Sequence, residues 1–200
     1  MKTFELNGSP RADFGKKASK NIRKSGNVPC VLYGGEENLH FQVKKEELRA
    51  LLFTPEVYLV KLTIADKVYM SILQDVQFHP VSDDPLHLDF LQIFEDKPIV
   101  IEVPVKLNGL AAGVKSGGKL SLDMRKLKVK ALYKNLPDNL DIDITNLELG
   151  KTVQVGDLRF DNMELMNTKN AVVCAVKLTR VARGIAAATA ATGSTESQAE

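Results

Sequence analysis

The architecture this sequence predicts is mainly β: an N-terminal barrel carrying short helices, a C-terminal sandwich-like unit and a disordered tail. Three observations carry that expectation. Apolar and polar residues alternate in short runs, most plainly in Leu140-Asp141-Ile142-Asp143-Ile144. Helical periodicity is confined to two brief stretches of the first half. A charged, proline-ended break, Phe94-Glu95-Asp96-Lys97-Pro98, is followed by a fresh strand pattern beginning at Ile99. The predicted divisions are 1–94, 95–181 and a tail over 182–200.

Residues 2–6 predict a first strand, and Asn7-Gly8-Ser9-Pro10 has loop chemistry. Residues 16–25 predict a helix closed by Gly26, with Ala18 and Ile22 forming an inward stripe. Residues 29–33 are a compact apolar strand ending at Gly34-Gly35, and 39–43 a brief one with Leu39, Phe41 and Val43 on one face. Over 44–53 the period changes. Leu48, Leu51 and Leu52 then form one stripe of a second helix, which Thr54-Pro55 stops. Residues 57–64 and 67–78 predict a hairpin turning at Ala65-Asp66, with Met70, Ile72, Gln74, Val76 and Phe78 sharing a face. His79-Pro80 ends that strand, Ser82-Asp83-Asp84-Pro85 turns the chain, and 86–93 resumes the strand pattern. In the second unit Ile99, Ile101 and Val103 alternate with Val100, Glu102 and Pro104. A Gly-rich crossover covers 107–118, and strands are expected at 127–132, 140–145, 153–158 and 171–178. From Ala182 the chain is small and polar, too poor in apolar groups to offset its ordering entropy.

With 200 residues, 44% of them hydrophobic, the chain can bury two cores, and no apolar run is long enough to span a bilayer as a helix. The start, MKTFELNGSPR, lacks the apolar core of a secretory signal. Cys30 and Cys174 lie far apart in apolar company, which predicts buried free thiols and a cytoplasmic setting.

Net charge is only +2, but it is polarised. Six cations (Arg11, Lys16, Lys17, Lys20, Arg23 and Lys24) share fourteen residues with a single acid, Asp13. Residues 36–94 carry ten acids against five Lys/Arg. Clustered cations repel one another unless they are solvated or meet a polyanion. Helical spacing puts Lys16, Lys20, Arg23 and Lys24 outside the Ala18/Ile22 stripe, with Arg11 and Tyr33 flanking and Gly15, Gly26, Gly34 and Gly35 allowing close backbone approach. A solvated helix face and a nucleic-acid surface both fit this pattern.

A second cluster is HPVSDDPLHLDF, containing His79, Asp83, Asp84, His87 and Asp89. Three chemistries compete for it. Histidine and carboxylate ligate metals, but one segment supplies no further anchor at helical spacing. Acid–base catalysis fits His87 and Asp89, which share a strand face, yet no activated nucleophile accompanies them. Ser82 lies in a turn and Cys30 in a hydrophobic run. Third, His87 and Asp89, with Gln74 from the neighbouring strand, can hydrogen-bond base edges or riboses. His79, before a proline, suits a structural role, and His40 carries no signal.

Together GKKASKNIRKSGNVPCVLYGG, QDVQFHPVSDDPLHLDF and VPVKLNGLAAGVKSGGKL resemble the bacterial large-subunit ribosomal protein L25 family. The likeness is to its longer two-domain form, also called CTC or general stress protein CTC, and runs from residue 1 to about 180. It implies a non-enzymatic component of the ribosome that binds 5S rRNA at internal loop E through a six-stranded barrel. It implies no cofactor, metal or small-molecule substrate. The family's RNA contacts map onto Arg11, Lys16, Ser19, Lys20, Arg23, Tyr33, Gln74, His87 and Asp89, and Lys17 and Gly34 beside them complete the candidate set. Phe78 departs from the pattern, standing where some short-form members carry arginine. There the resemblance leaves two expectations, a ring stacked on a ribose or one packed inward.

Overall fold

The computed structural model describes residues 2–35, 37–160 and 162–179. It divides the chain into two compact units: Met1–Ile101 with Lys130–Asp138, and Glu102–Val129 with the residues from Asn139 onward.

Six strands close the first unit into a barrel: β1 (Lys2–Pro10), β2 (Asn27–Tyr33), β3 (Leu39–Lys44), β4 (Tyr58–Ile64), β5 (Lys67–Phe78) and β6 (Pro85–Gln92). Their order around it is β1-β3-β2-β6-β5-β4, so every strand has two neighbours and no edge is left open. Helix α1 (Lys16–Lys24) joins β1 to β2, and α2 (Lys45–Leu52) joins β3 to β4. Alternation fills the interior with Leu6, Val28, Cys30, Leu32, Phe41, Val43, Val60, Leu62, Ile64, Leu88 and Phe90. Leu48 and Leu51 of α2 join that core. Burying each large side chain contributes about 1.5–3 kcal/mol.

Four expectations are corrected here. Asn7-Gly8-Ser9-Pro10 is not a loop but the second half of β1, paired at Gly8 with Ile64 and at Ser9 and Pro10 with Gln42 and Phe41. Gly8 serves close packing: a Cβ there would lie 2.6 Å from Cδ2 of Phe41. The uniform face over β5 is broken by a register shift between Leu73 and Asp75. Before it Ile72 pairs with Leu91 and Leu73 with Phe90; beyond it Asp75 pairs with Asp89, Val76 with Leu88 and Gln77 with His87. Gln74 therefore occupies a β-bulge, and Val76 turns to the core. Phe78 is not packed inward: it is 41% exposed, its ring 6.2 Å from that of Phe53. Finally, residues 153–158 are not one strand.

The second unit builds two sheets. One has the order β10-β7-β9-β12, from β7 (Ile99–Asn108), β9 (Lys126–Ala131), β10 (Leu140–Asp143) and β12 (Glu164–Leu165). The other is β11-β13-β8, from β8 (Lys119–Leu122), β11 (Thr152–Gln154) and β13 (Val172–Lys177). Strand β11 stops at Gln154 because Asp157 accepts the Gln154 backbone N–H at 3.0 Å, which starts a 3-10 turn over Val155–Asp157. The crossover contains a four-residue helix, α3 (Ala112–Lys115), and continues into β8. The tail expected to be disordered, 182–200, lies outside the described residues.

Candidate nucleic-acid interface

Helix α1 is built against its own stability. Its first turn holds Lys16 and Lys17 and no acid, at the end where the helix dipole already favours negative charge. Gly15, at φ 98°, precedes it without a side-chain cap. At the far end Arg23 and Lys24 complement the dipole, the Ser25 hydroxyl donates to the Ile22 carbonyl at 2.8 Å, and Gly26 leaves the helix at φ 80°. Ala18 and Ile22 are half-buried as the inward stripe requires, and Ser19 is half-buried beside them. Lys16, Lys17, Lys20, Arg23 and Lys24 are exposed. Among the described residues no carboxylate pairs with these cations, whereas Lys2, Lys45 and Lys61 elsewhere on the barrel pair with Glu56, Asp84 and Glu5. An array of unpaired cations beside unsatisfied helix N–H groups attracts phosphate.

Arg23 also ties the helix to the sheet, donating from Nε to the Leu86 carbonyl at 3.0 Å. Leu86 opens the strand that carries His87 and Asp89. Their side chains meet, Nδ1 to Oδ1 at 2.6 Å, with 29% and 32% of each side chain exposed. An ionised carboxylate only accepts, so the bond places the proton on Nδ1 and leaves Nε2 as the ring's remaining polar atom. Asp89 lies between Val31 of β2 and Asp75 of β5, and His87 lies opposite Gln77. Tyr33, at the end of β2, is half-buried on the same face. Burial, then the Asp89 and Asp75 carboxylates, push its phenol above the usual range, so it remains a hydrogen-bond donor. Gly34 follows at φ 93°, where a Cβ would meet Leu91 at 2.7 Å.

The sequence-predicted set thus falls into two groups joined by the Arg23–Leu86 bond. Lys16, Lys17, Ser19, Lys20 and Arg23 belong to α1, while Tyr33, Gly34, His87 and Asp89 belong to the β2–β6 face. Gln74 is exposed but sits in the bulge, out of register with His87 and Asp89. Their true cross-strand neighbours, Asp75 and Gln77, were missed. Two adjacent polar residues between inward Leu73 and inward Val76 are the signal for them, because strict alternation allows one.

Arg11 follows β1, donating its N–H to the His40 carbonyl at 3.2 Å. Its guanidinium lies 5.3 Å from the centroid of the Phe14 ring, which meets the His40 ring edge-on at 5.1 Å. Neither Phe14 nor His40 was singled out from the sequence. Phe14 was legible as an aromatic inside a basic segment.

The residues weighed for metal binding or catalysis are used locally. Nδ1 of His79 accepts the backbone N–H groups of Val81 and Ser82, and Asp84 accepts from Ser82 and pairs with Lys45. This holds the turn in which Asp83 takes φ 53°. Cys30 and Cys174 are free and buried, as expected.

Comparison with known proteins places these features. The model of the Ribosomal L25p family matches residues 6–90, and that of the ribosomal protein TL5 C-terminal domain matches 98–180. A large ribosomal subunit protein bL25 of Porphyromonas gingivalis is 60% identical over 188 residues, 93% of this chain and 98% of its own length. Its namesake in Azobacteroides pseudotrichonymphae is 59% identical over 184 residues, 92% and 97% of the two chains. That of Bacteroides fragilis is 58% identical over 193 residues, 94% and 98%. With both family models matched in order and such identity over nearly the full length, the chain belongs to the ribosomal L25p family, a structural rather than a catalytic one.

Proposed function

We propose that this chain is a structural constituent of the large ribosomal subunit in the cytoplasm, binding 5S rRNA at internal loop E through its barrel. One observation carries the reading. The unpaired cations of α1 are fastened, by Arg23 and Leu86, to the ordered polar face of Tyr33, His87 and Asp89. Lys16, Lys17, Lys20 and Arg11 supply phosphate attraction that any RNA satisfies. The β2–β6–β5 face supplies hydrogen bonds to base edges. A regular A-form helix hides those edges in a deep, narrow major groove, and an irregular internal loop opens it.

The test is binding of the full chain to a 5S rRNA loop E fragment and to a fully paired duplex of equal length, over a salt series. Loop-selective binding is expected. Lys20→Ala should weaken both complexes and reduce the slope of log K against log salt by about 1. Steep salt dependence without loop preference would leave a general RNA-binding module in place of the 5S reading.

A further inference from the structure

Phe14 is 61% exposed, contributes nothing to the barrel core, and yet is held in place. The Arg11 guanidinium covers one face of its ring at 5.3 Å, and His40 supports an edge at 5.1 Å. Both supports are fixed to the barrel, His40 as part of β3 and Arg11 through its bond to the His40 carbonyl. With one face covered, an exposure of 61% requires the opposite face to be open. Single exposed apolar residues are ordinary. A ring held by a cation and a second ring, and flanked by Lys16 and Lys17, is a preorganised surface. Moreover Nε of Arg11 is buried with no hydrogen-bond partner, and buried polar groups nearly always have one. A small rotation of the guanidinium toward a phosphate oxygen would supply it.

We propose that the Arg11–Phe14–His40 stack is a platform for one unpaired nucleobase of the bound RNA, which lies on the open face of Phe14. The base then completes a sandwich of guanidinium, phenyl ring and nucleobase, and its phosphate falls among Arg11, Lys16 and Lys17. This rests on the RNA-binding reading and adds a contact selective for unstacked bases, since a paired duplex presents none.

The experiment compares the full chain with Phe14→Ala, Phe14→Leu and Phe14→Trp on the loop E fragment and on the paired duplex. Ala and Leu are both expected to lower loop affinity by about 5- to 100-fold. Duplex affinity, salt slope and melting temperature should not move. The chain contains no tryptophan, so Phe14→Trp introduces a single reporter. It should retain loop affinity, and stacking should quench its emission. Wild-type affinity in Phe14→Leu, or unquenched emission at saturation, would overturn the platform. If wild-type chain prefers the loop and Phe14→Ala prefers it equally, only the platform falls. If wild-type chain shows no loop preference, the RNA reading falls with it.

Discussion

Replacing Asp89 by asparagine sets two effects of opposite sign against each other. A carboxylate on a phosphate-binding surface is repulsive. For a phosphate about 7 Å away in a water-like medium the repulsion is about 0.6 kcal/mol, and salt reduces it further. If Asp89 contributed charge alone, Asp89→Asn would tighten every RNA complex about twofold. Its geometry argues otherwise. Asp89 orders His87 through the 2.6 Å bond and keeps about a third of its own side chain accessible, at 32%. Losing one well-formed base contact costs about 1–3 kcal/mol of discrimination, or about 5- to 150-fold. The second effect is the larger, so the variant should bind loop E fragment more weakly and paired duplex slightly more tightly. Parallel titrations of both RNAs at several salt concentrations measure this. The salt slope should not change, because no cation is removed. Stability should rise slightly, since Asp75 lies directly opposite Asp89 and like charges across a strand pair repel. Loss of binding could not then be blamed on unfolding. Equal tightening of both complexes would refute the reasoning.

Two further outcomes test the fold. Burial, the largest cause, raises the Cys30 thiol far above its ordinary value of 9.0, so the folded chain keeps the proton that the unfolded chain loses. Its contribution is therefore full below about pH 9 and falls by up to about 1.4 kcal/mol per pH unit above it. Comparing denaturation of wild type and Cys30→Val between pH 8 and pH 10 isolates that slope, and identical pH dependence would contradict it. At Gly113 a Cβ would lie 2.5 Å from the Leu149 nitrogen and 2.6 Å from the Glu148 carbonyl carbon, both backbone atoms. Gly113→Ala should cost about 1–3 kcal/mol in thermal unfolding, and an unchanged midpoint would show that the crossover yields.

Much of the barrel is written in local pattern. Ala65 and Asp66 turn the β4–β5 hairpin at φ 45° and 67°, as the two polar-flanked runs predict. Leu48 and Leu51 bury as their helical spacing requires. What escaped depends on partners distant in sequence. Asn7-Gly8 has the letters of a turn, and only the approach of Phe41 makes that glycine a strand residue. The short strands β8 and β12 carry too few residues to show a period. They exist because longer neighbours complete them: Lys119 to Leu122 align on β13, and Met166 donates its N–H to the Lys128 carbonyl at 2.9 Å.

The interface divides along the same line. Composition exposes the cations of α1, because charge needs no register to be counted. The edge-reading face needs parity, and one bulge reverses it. Counting by twos from Met70 selects Gln74, Val76 and Phe78. The bulge instead delivers Asp75 and Gln77 to Asp89 and His87 and sends Val76 inward. The consequence is chemical as well as geometric. Parity by twos sets Gln74, an amide that both donates and accepts, beside His87 and Asp89. The bulged strand sets a second carboxylate opposite Asp89 and moves the amide of Gln77 opposite His87. Two carboxylates side by side accept hydrogen bonds and repel phosphate, so they favour ligand positions that present amino groups, such as the exocyclic amines of cytosine, adenine and guanine. The neighbouring α1 cations offset the repulsion without being neutralised by these acids, because none pairs with them among the described residues. Affinity and selectivity thereby reside on separate elements, a helix and a sheet face, joined at the Arg23–Leu86 bond. A substitution in one should leave the other's signature, salt slope or loop preference, intact.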